Sequence, residues 1–90
     1  MFEIQYHDAV VSEDLPRIDS LWRNKIQLAI ESRLMTRPEV YGKTLRRSLK
    51  NYRKLRVGDY RVIFRIEEHK VQIFVIQHRS RVYVSASKRL

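Results

Sequence analysis

Ninety residues with 43% apolar content and a formal net charge of +9 describe one small domain, residues 1–90, too apolar to be disordered and basic enough to seek an anionic partner. The absence of cysteine removes disulfides and thiolate metal sites. Apolar runs of a few residues and a start, Met1-Phe2-Glu3-Ile4, without a basic leader predict a soluble cytoplasmic protein with no membrane partner.

Phe2-Glu3-Ile4-Gln5-Tyr6-His7 alternates apolar and polar, as a half-buried strand does. Asp8 is placed to cap a short helix through about Leu15, which Pro16 ends. Asp19 caps a second. Beyond it Trp22, Ile26, Ile30 and Leu34 recur every four residues, with Leu21 and Ala29 widening the stripe, so a helix is predicted over Ser20–Met35. Thr36-Arg37-Pro38 stops it. Tyr41-Gly42 reads as a turn, and Leu45 and Leu49 as anchors to the core.

Three strands follow, Tyr52–Val57, Tyr60–Ile66 and Lys70–Gln77, joined by the tight turns Gly58-Asp59 and Glu68-His69. Val82–Leu90 reads as one or two closing helical turns. The expected fold is α+β: two N-terminal helices cover one face of a four-stranded, mainly antiparallel sheet, with the first strand at an edge of the meander.

The charge is concentrated. Between Lys43 and Arg61 eight cations face one acid, Asp59. A two-residue Gly58-Asp59 loop sets Val57 opposite Tyr60, Arg56 opposite Arg61 and Lys54 opposite Ile63. Leu55, Val57, Tyr60, Val62 and Phe64 then face the helices, and Lys54, Arg56, Arg61 and Arg65 face away. Like charges directly opposite destabilise a sheet, so the Arg56–Arg61 pair points to a bound polyanion. Gln77-His78-Arg79-Ser80-Arg81-Val82-Tyr83 leaves the last strand near the rim of that face and adds guanidinium groups, which suit phosphate, and a phenol that suits a base. His7, His69 and His78 lack metal-ligand spacing, and no Gly-rich phosphate loop or nucleophile elbow is present. No metal or cofactor is expected.

Gly42-Lys43-Thr44-Leu45-Arg46, Tyr52-Arg53-Lys54-Leu55-Arg56-Val57-Gly58-Asp59-Tyr60-Arg61-Val62 and His78-Arg79-Ser80-Arg81-Val82-Tyr83 together resemble the RelE/ParE toxin superfamily, its RelE branch above all. The resemblance implies the toxin of a type II toxin–antitoxin pair, an endoribonuclease that cuts mRNA in the ribosomal A site through attack of a ribose 2′-OH on the adjacent phosphate. It implies Lys54 and Arg61 at the scissile phosphate, with Arg56 beside them. It implies Arg79 at the leaving 5′ oxygen, Arg81 being able to take its place, and Tyr83 on the codon. Arg46, Arg47, Lys50, Arg53, Arg56, Arg65 and Arg81 would hold the RNA.

The family lysine two residues before Lys54 is Tyr52 here, which leaves Lys54 and His78 as the candidate bases. Implied partners are the ribosome, mRNA and an acidic antitoxin with an amphipathic helix, seated between the first two helices and the sheet or in place of the C-terminal segment. The alternatives are a ParE-like gyrase inhibitor and a family member without activity.

Overall fold

In the computed structural model, which describes residues Met1–Leu90, the Gly58-Asp59 turn folds β3 (Arg53–Val57) back on β4 (Tyr60–Glu67), and Glu68-His69 folds β4 back on β5 (Lys70–His78). The register of the first hairpin is the one the sequence predicts: Lys54 opposite Ile63, Arg56 opposite Arg61, Val57 opposite Tyr60. Gly58 takes φ +59°, and a Cβ there would stand 2.4 Å from the Trp22 ring, so the turn needs glycine twice over.

The sheet has five strands rather than four. β1 (Glu3–Tyr6) pairs parallel with β5, and β2 (Lys43–Thr44) pairs antiparallel with β3, giving the order β1-β5-β4-β3-β2. Two residues are too few to show alternation, so β2 leaves no mark in the sequence pattern.

The first helical segment is a π-helical turn, Val10–Asp14, running into a 3-10 turn, Leu15–Arg17. It departs from expectation at both ends. The His7 ring, and not the Asp8 carboxylate, accepts the N–H of Ala9 at 3.0 Å, and Pro16 sits inside the 3-10 turn, where its missing donor costs nothing. Helix α1 (Ser20–Ala29) starts at Asp19, whose carboxylate accepts from Trp22 N at 3.0 Å, and continues as a π turn through Ile30–Leu34. Leu21 belongs to the outer face of α1 and is exposed. Pro38–Tyr41 forms one helical turn, α2, where a plain turn was expected.

One face of the sheet carries the main core, eleven buried residues in which Leu55, Val62, Phe64 and Ile73 meet Val10, Ile18, Ile26, Ile30 and Leu34. The second face is not left to solvent, as the expected sandwich had it. The C-terminal segment forms a full helix, α3 (Val82–Arg89), which sets Val82 and Ala86 on Ile63, Val75 and Leu49 in a smaller cluster of six. A bulge between Ile63 and Phe64 adds Phe74 to that side. Lys54, Arg56 and Arg61 lie toward the Gly58-Asp59 end of this face, whereas Arg53 alternates to the other face and Arg65 sits toward the opposite end of β4.

Candidate functional site

Alternation along β3 places Lys54 and Arg56 on the α3 side of the sheet, and pairing with β4 places Arg61 directly beside Arg56. Lys54 and Arg61 are half-buried and Arg56 is exposed. The Lys54 Nζ lies 5.8 Å from the centre of the Tyr83 ring, in the first turn of α3. Arg61 Nη1 donates to the carbonyls of Gly58 and Tyr60, each at 2.9 Å, which leaves Nε and Nη2 for another acceptor.

Arg79 hangs on the same turn. Its backbone N–H donates to Asp59 O at 2.8 Å, and its Nε stands 3.9 Å from the Asp59 carboxylate. Arg81 precedes α3, whose first turn has no side-chain cap, so unpaired backbone N–H groups add to the positive field at this end. Lys54, Arg56, Arg61, Arg79 and Tyr83 thus collect at one end of the sheet, with Asp59 as the acid on its turn, whereas Arg81 lines a hollow with Tyr60 and His78. That arrangement suits a phosphodiester: guanidinium forks and an ammonium around the charge, and a phenol ring for a neighbouring base.

The structure does not bring every predicted residue there. His78 pairs with Tyr60, so its ring lies on the opposite, α1-facing side of the sheet, 6.0 Å from the Tyr60 ring. Its Nδ1 accepts the backbone N–H of Ser80 at 3.1 Å, and Ser80 Oγ lies 2.9 Å away. A backbone N–H only donates, so the neutral ring carries its proton on Nε2 and presents a donor. Arg53 is spent on structure, donating from Nη1 to the carbonyls of Glu39 and Gly42. Arg65 pairs with Glu67 at 3.2 Å and Gln72 at 2.7 Å. Arg46, Arg47 and Lys50 are exposed on the loop between β2 and β3, which Leu49 pins into the cluster beneath α3. Tyr52, on the same side of the sheet as Lys54, stacks on Phe74 at 4.8 Å and packs against the small core.

A family model described as the ParE toxin of type II toxin–antitoxin systems matches residues 7–83. A Mycobacterium tuberculosis protein, Toxin RelE, is 32% identical over 83 residues, which cover 87% of this chain and 86% of that one. The chain belongs to the RelE/ParE superfamily and is a type II toxin of the RelE family.

Solved relatives of this toxin share its fold. A chain of the M. tuberculosis RelBE2 toxin–antitoxin complex superposes with a TM-score of 0.72 at 25% identity, over 87% of this chain and 98% of its own. The RelB-RelE complex of Methanococcus jannaschii gives 0.69 at 20% identity, over 90% and 96%. A mutant Escherichia coli RelE bound to an antitoxin peptide gives 0.66 at 20% identity, over 99% and 97%. These neighbours of the toxin are toxin–antitoxin complexes. No group of His, Cys, Asp and Glu in the toxin could hold a metal ion, and no helix is long and apolar enough to cross a membrane.

One interaction has no signature in the sequence. Asp14, buried in the first helical segment, accepts from Ile76 N at 2.9 Å and Gln77 Nε2 at 2.8 Å, and pairs with Arg89 of α3 at 2.8 Å. Burial pushes the Asp14 carboxyl up, but the hydrogen bonds from Arg89, Gln77 and Ile76 outweigh it and hold the group below its ordinary range. The pair joins residues 75 apart in sequence, out of reach of any local pattern.

Proposed function

We propose that this toxin is a ribosome-dependent mRNA endonuclease that cuts in the A site. The carrying observation is the cation set at the open end of the sheet: Arg56 and Arg61 paired across strands, with Lys54 beneath Tyr83 on the same face. In the reaction the ribose 2′-OH gives its proton to Lys54 acting as the free amine, which becomes the ammonium, and the 2′ oxygen bonds to the adjacent phosphorus. The bond to the 5′ oxygen breaks, that oxygen takes up a proton, and the products are a 2′,3′-cyclic phosphate and a 5′-OH. Arg61 neutralises the charge gained by the phosphoryl oxygens, Arg79 stands at the leaving oxygen, and Tyr83 stacks on the codon. Of the two candidate bases, Lys54 shares a face with Arg61, whereas His78 presents a donor on the other side.

The antitoxin belongs to the same proposal. An acidic amphipathic helix would lie over α1 and set one apolar side chain into the hollow of about 120 Å³ that Leu15, Ile26, Ile30 and Ile76 line beside Arg23.

Primer extension on a defined mRNA, with and without programmed ribosomes, tests the nuclease reading. Cuts within the A-site codon that need ribosomes are expected. No cut in either reaction, with inhibition of DNA supercoiling by gyrase, would replace it with the ParE-like reading, which the family model's description favours.

A further inference from the structure

We infer that the Gly58-Asp59 turn, seated on Trp22, is the element that positions both Arg61 and Arg79, with Asp59 and Trp22 as positioning residues. This deepens the nuclease reading and rests on it for its catalytic consequence. Three independent interactions converge on Gly58, Asp59 and Tyr60. Arg61 Nη1 is held by the carbonyls on either side of Asp59, those of Gly58 and Tyr60. Arg79 is held by Asp59 through its backbone N–H at 2.8 Å and its side chain at 3.9 Å. The turn itself lies against Trp22, so closely that a Cβ on Gly58 would stand 2.4 Å from one ring carbon and 2.6 Å from the next.

Trp22 is in turn fixed from the helix side. It belongs to the first turn of α1, its backbone N–H bonds the Asp19 cap, and its ring lies 5.6 Å from Tyr60 and 4.6 Å from the Lys25 ammonium. A continuous path of packed groups therefore runs from the start of α1, through the turn, to two guanidinium groups, one on β4 and one just past the end of β5.

Magnitudes favour positioning over stabilisation as the role of Asp59. Its side chain and that of Arg79 are 69% and 60% exposed, and such pairs contribute little to folding. The same weakness lets an incoming phosphate take over Arg79 at small cost, while the backbone bond to Asp59 O keeps the arginine on its turn. Misplacing a catalytic group by about 1 Å costs up to about 100-fold in rate, so small movements of the turn matter to chemistry before they matter to stability.

The test uses Asp59→Asn, an exposed change that keeps the backbone acceptor, together with Trp22→Phe and Trp22→Ala. Two quantities are measured: kcat and KM for cleavage on programmed ribosomes, and the order of the Arg61 and Arg79 side chains by NMR of their Nε–H groups. Asp59→Asn should lower kcat about tenfold with KM unchanged and loosen Arg79 alone. Trp22→Ala should lower kcat further and loosen both arginines, with Trp22→Phe restoring most of each. Wild-type kcat in Asp59→Asn and Trp22→Ala, or guanidinium order unchanged in both, would overturn the inference. If the wild-type toxin does not cut mRNA at all, the nuclease reading falls. The side-chain order in the variants then still decides whether the turn positions these groups.

Discussion

Arg61 shows how much a single side chain can be asked to do. One of its nitrogens is tied to two backbone carbonyls, which fixes the plane of the fork and aims the remaining donors at one place. Lysine can neutralise charge but cannot reproduce two parallel bonds from a held plane. Arg61→Lys should therefore lower kcat by about 100-fold, and Arg61→Ala by up to about 1,000-fold, with the fold intact by circular dichroism. A fall of less than tenfold in the alanine variant would show that Arg61 lies outside the reacting centre. Asp14 makes the converse case, a residue whose value is structural. Its folded-state proton affinity is lowered, so its contribution to stability is complete above the ordinary aspartate pKa of about 3.9 and is lost as pH falls through the lower folded value. Denaturant unfolding between pH 7 and pH 2 should show this acid limb in the wild-type toxin and a flattened one in Asp14→Asn. Arg89→Ala, which leaves a buried carboxylate unpaired, should cost about 3–5 kcal/mol at neutral pH.

At the scale of elements, the β3–β4 turn limits what the site tolerates. Gly58→Ala asks an L side chain to hold φ +59° and to share space with Trp22, so destabilisation of about 1–3 kcal/mol is expected, with Arg61 and Arg79 displaced as well. An unchanged melting temperature in that variant would mean the turn rearranges without cost. This same turn was legible in the sequence: two residues between alternating runs fix the pairing, and pairing fixes which side Lys54, Arg56 and Arg61 share. The side of His78 was not legible, because it depends on β5 pairing with β4 and on the bulge at Ile63–Phe64. Nor was the use of Arg53, whose carbonyl partners lie eleven and fourteen residues away in α2 and its end. Sequence read local geometry well and long-range partners poorly. α3 illustrates both: its helical character is local, but its packing over Ile63 and Val75 is tertiary.

Over the whole molecule, the charge of +9 divides into two kinds once the structure is known. Arg61 and Arg79 are bonded to the β3–β4 turn and Lys54 is half-buried near the Tyr83 ring, whereas Arg46, Arg47 and Lys50 are exposed on a loop. Held cations govern chemistry, and loose ones govern encounter, because a field acts on an approaching polyanion without needing fixed geometry. The triple variant Arg46→Gln, Arg47→Gln, Lys50→Gln should therefore leave kcat at saturating ribosomes near the wild-type value while raising KM. Against single-stranded RNA, every phosphate that a protein ceases to neutralise reduces the slope of log K against log salt by about 0.7. Removing three such cations should flatten that slope by about 2. The comparison separates the two populations cleanly: a fall in kcat would place the loop at the reacting phosphate, and an unchanged salt slope would remove it from the RNA path. Between those limits the toxin is a small fixed site carried beneath a broad electrostatic funnel. On the nuclease reading proposed above, the ribosome, itself a polyanion, is the target such a funnel would capture before the site engages the codon.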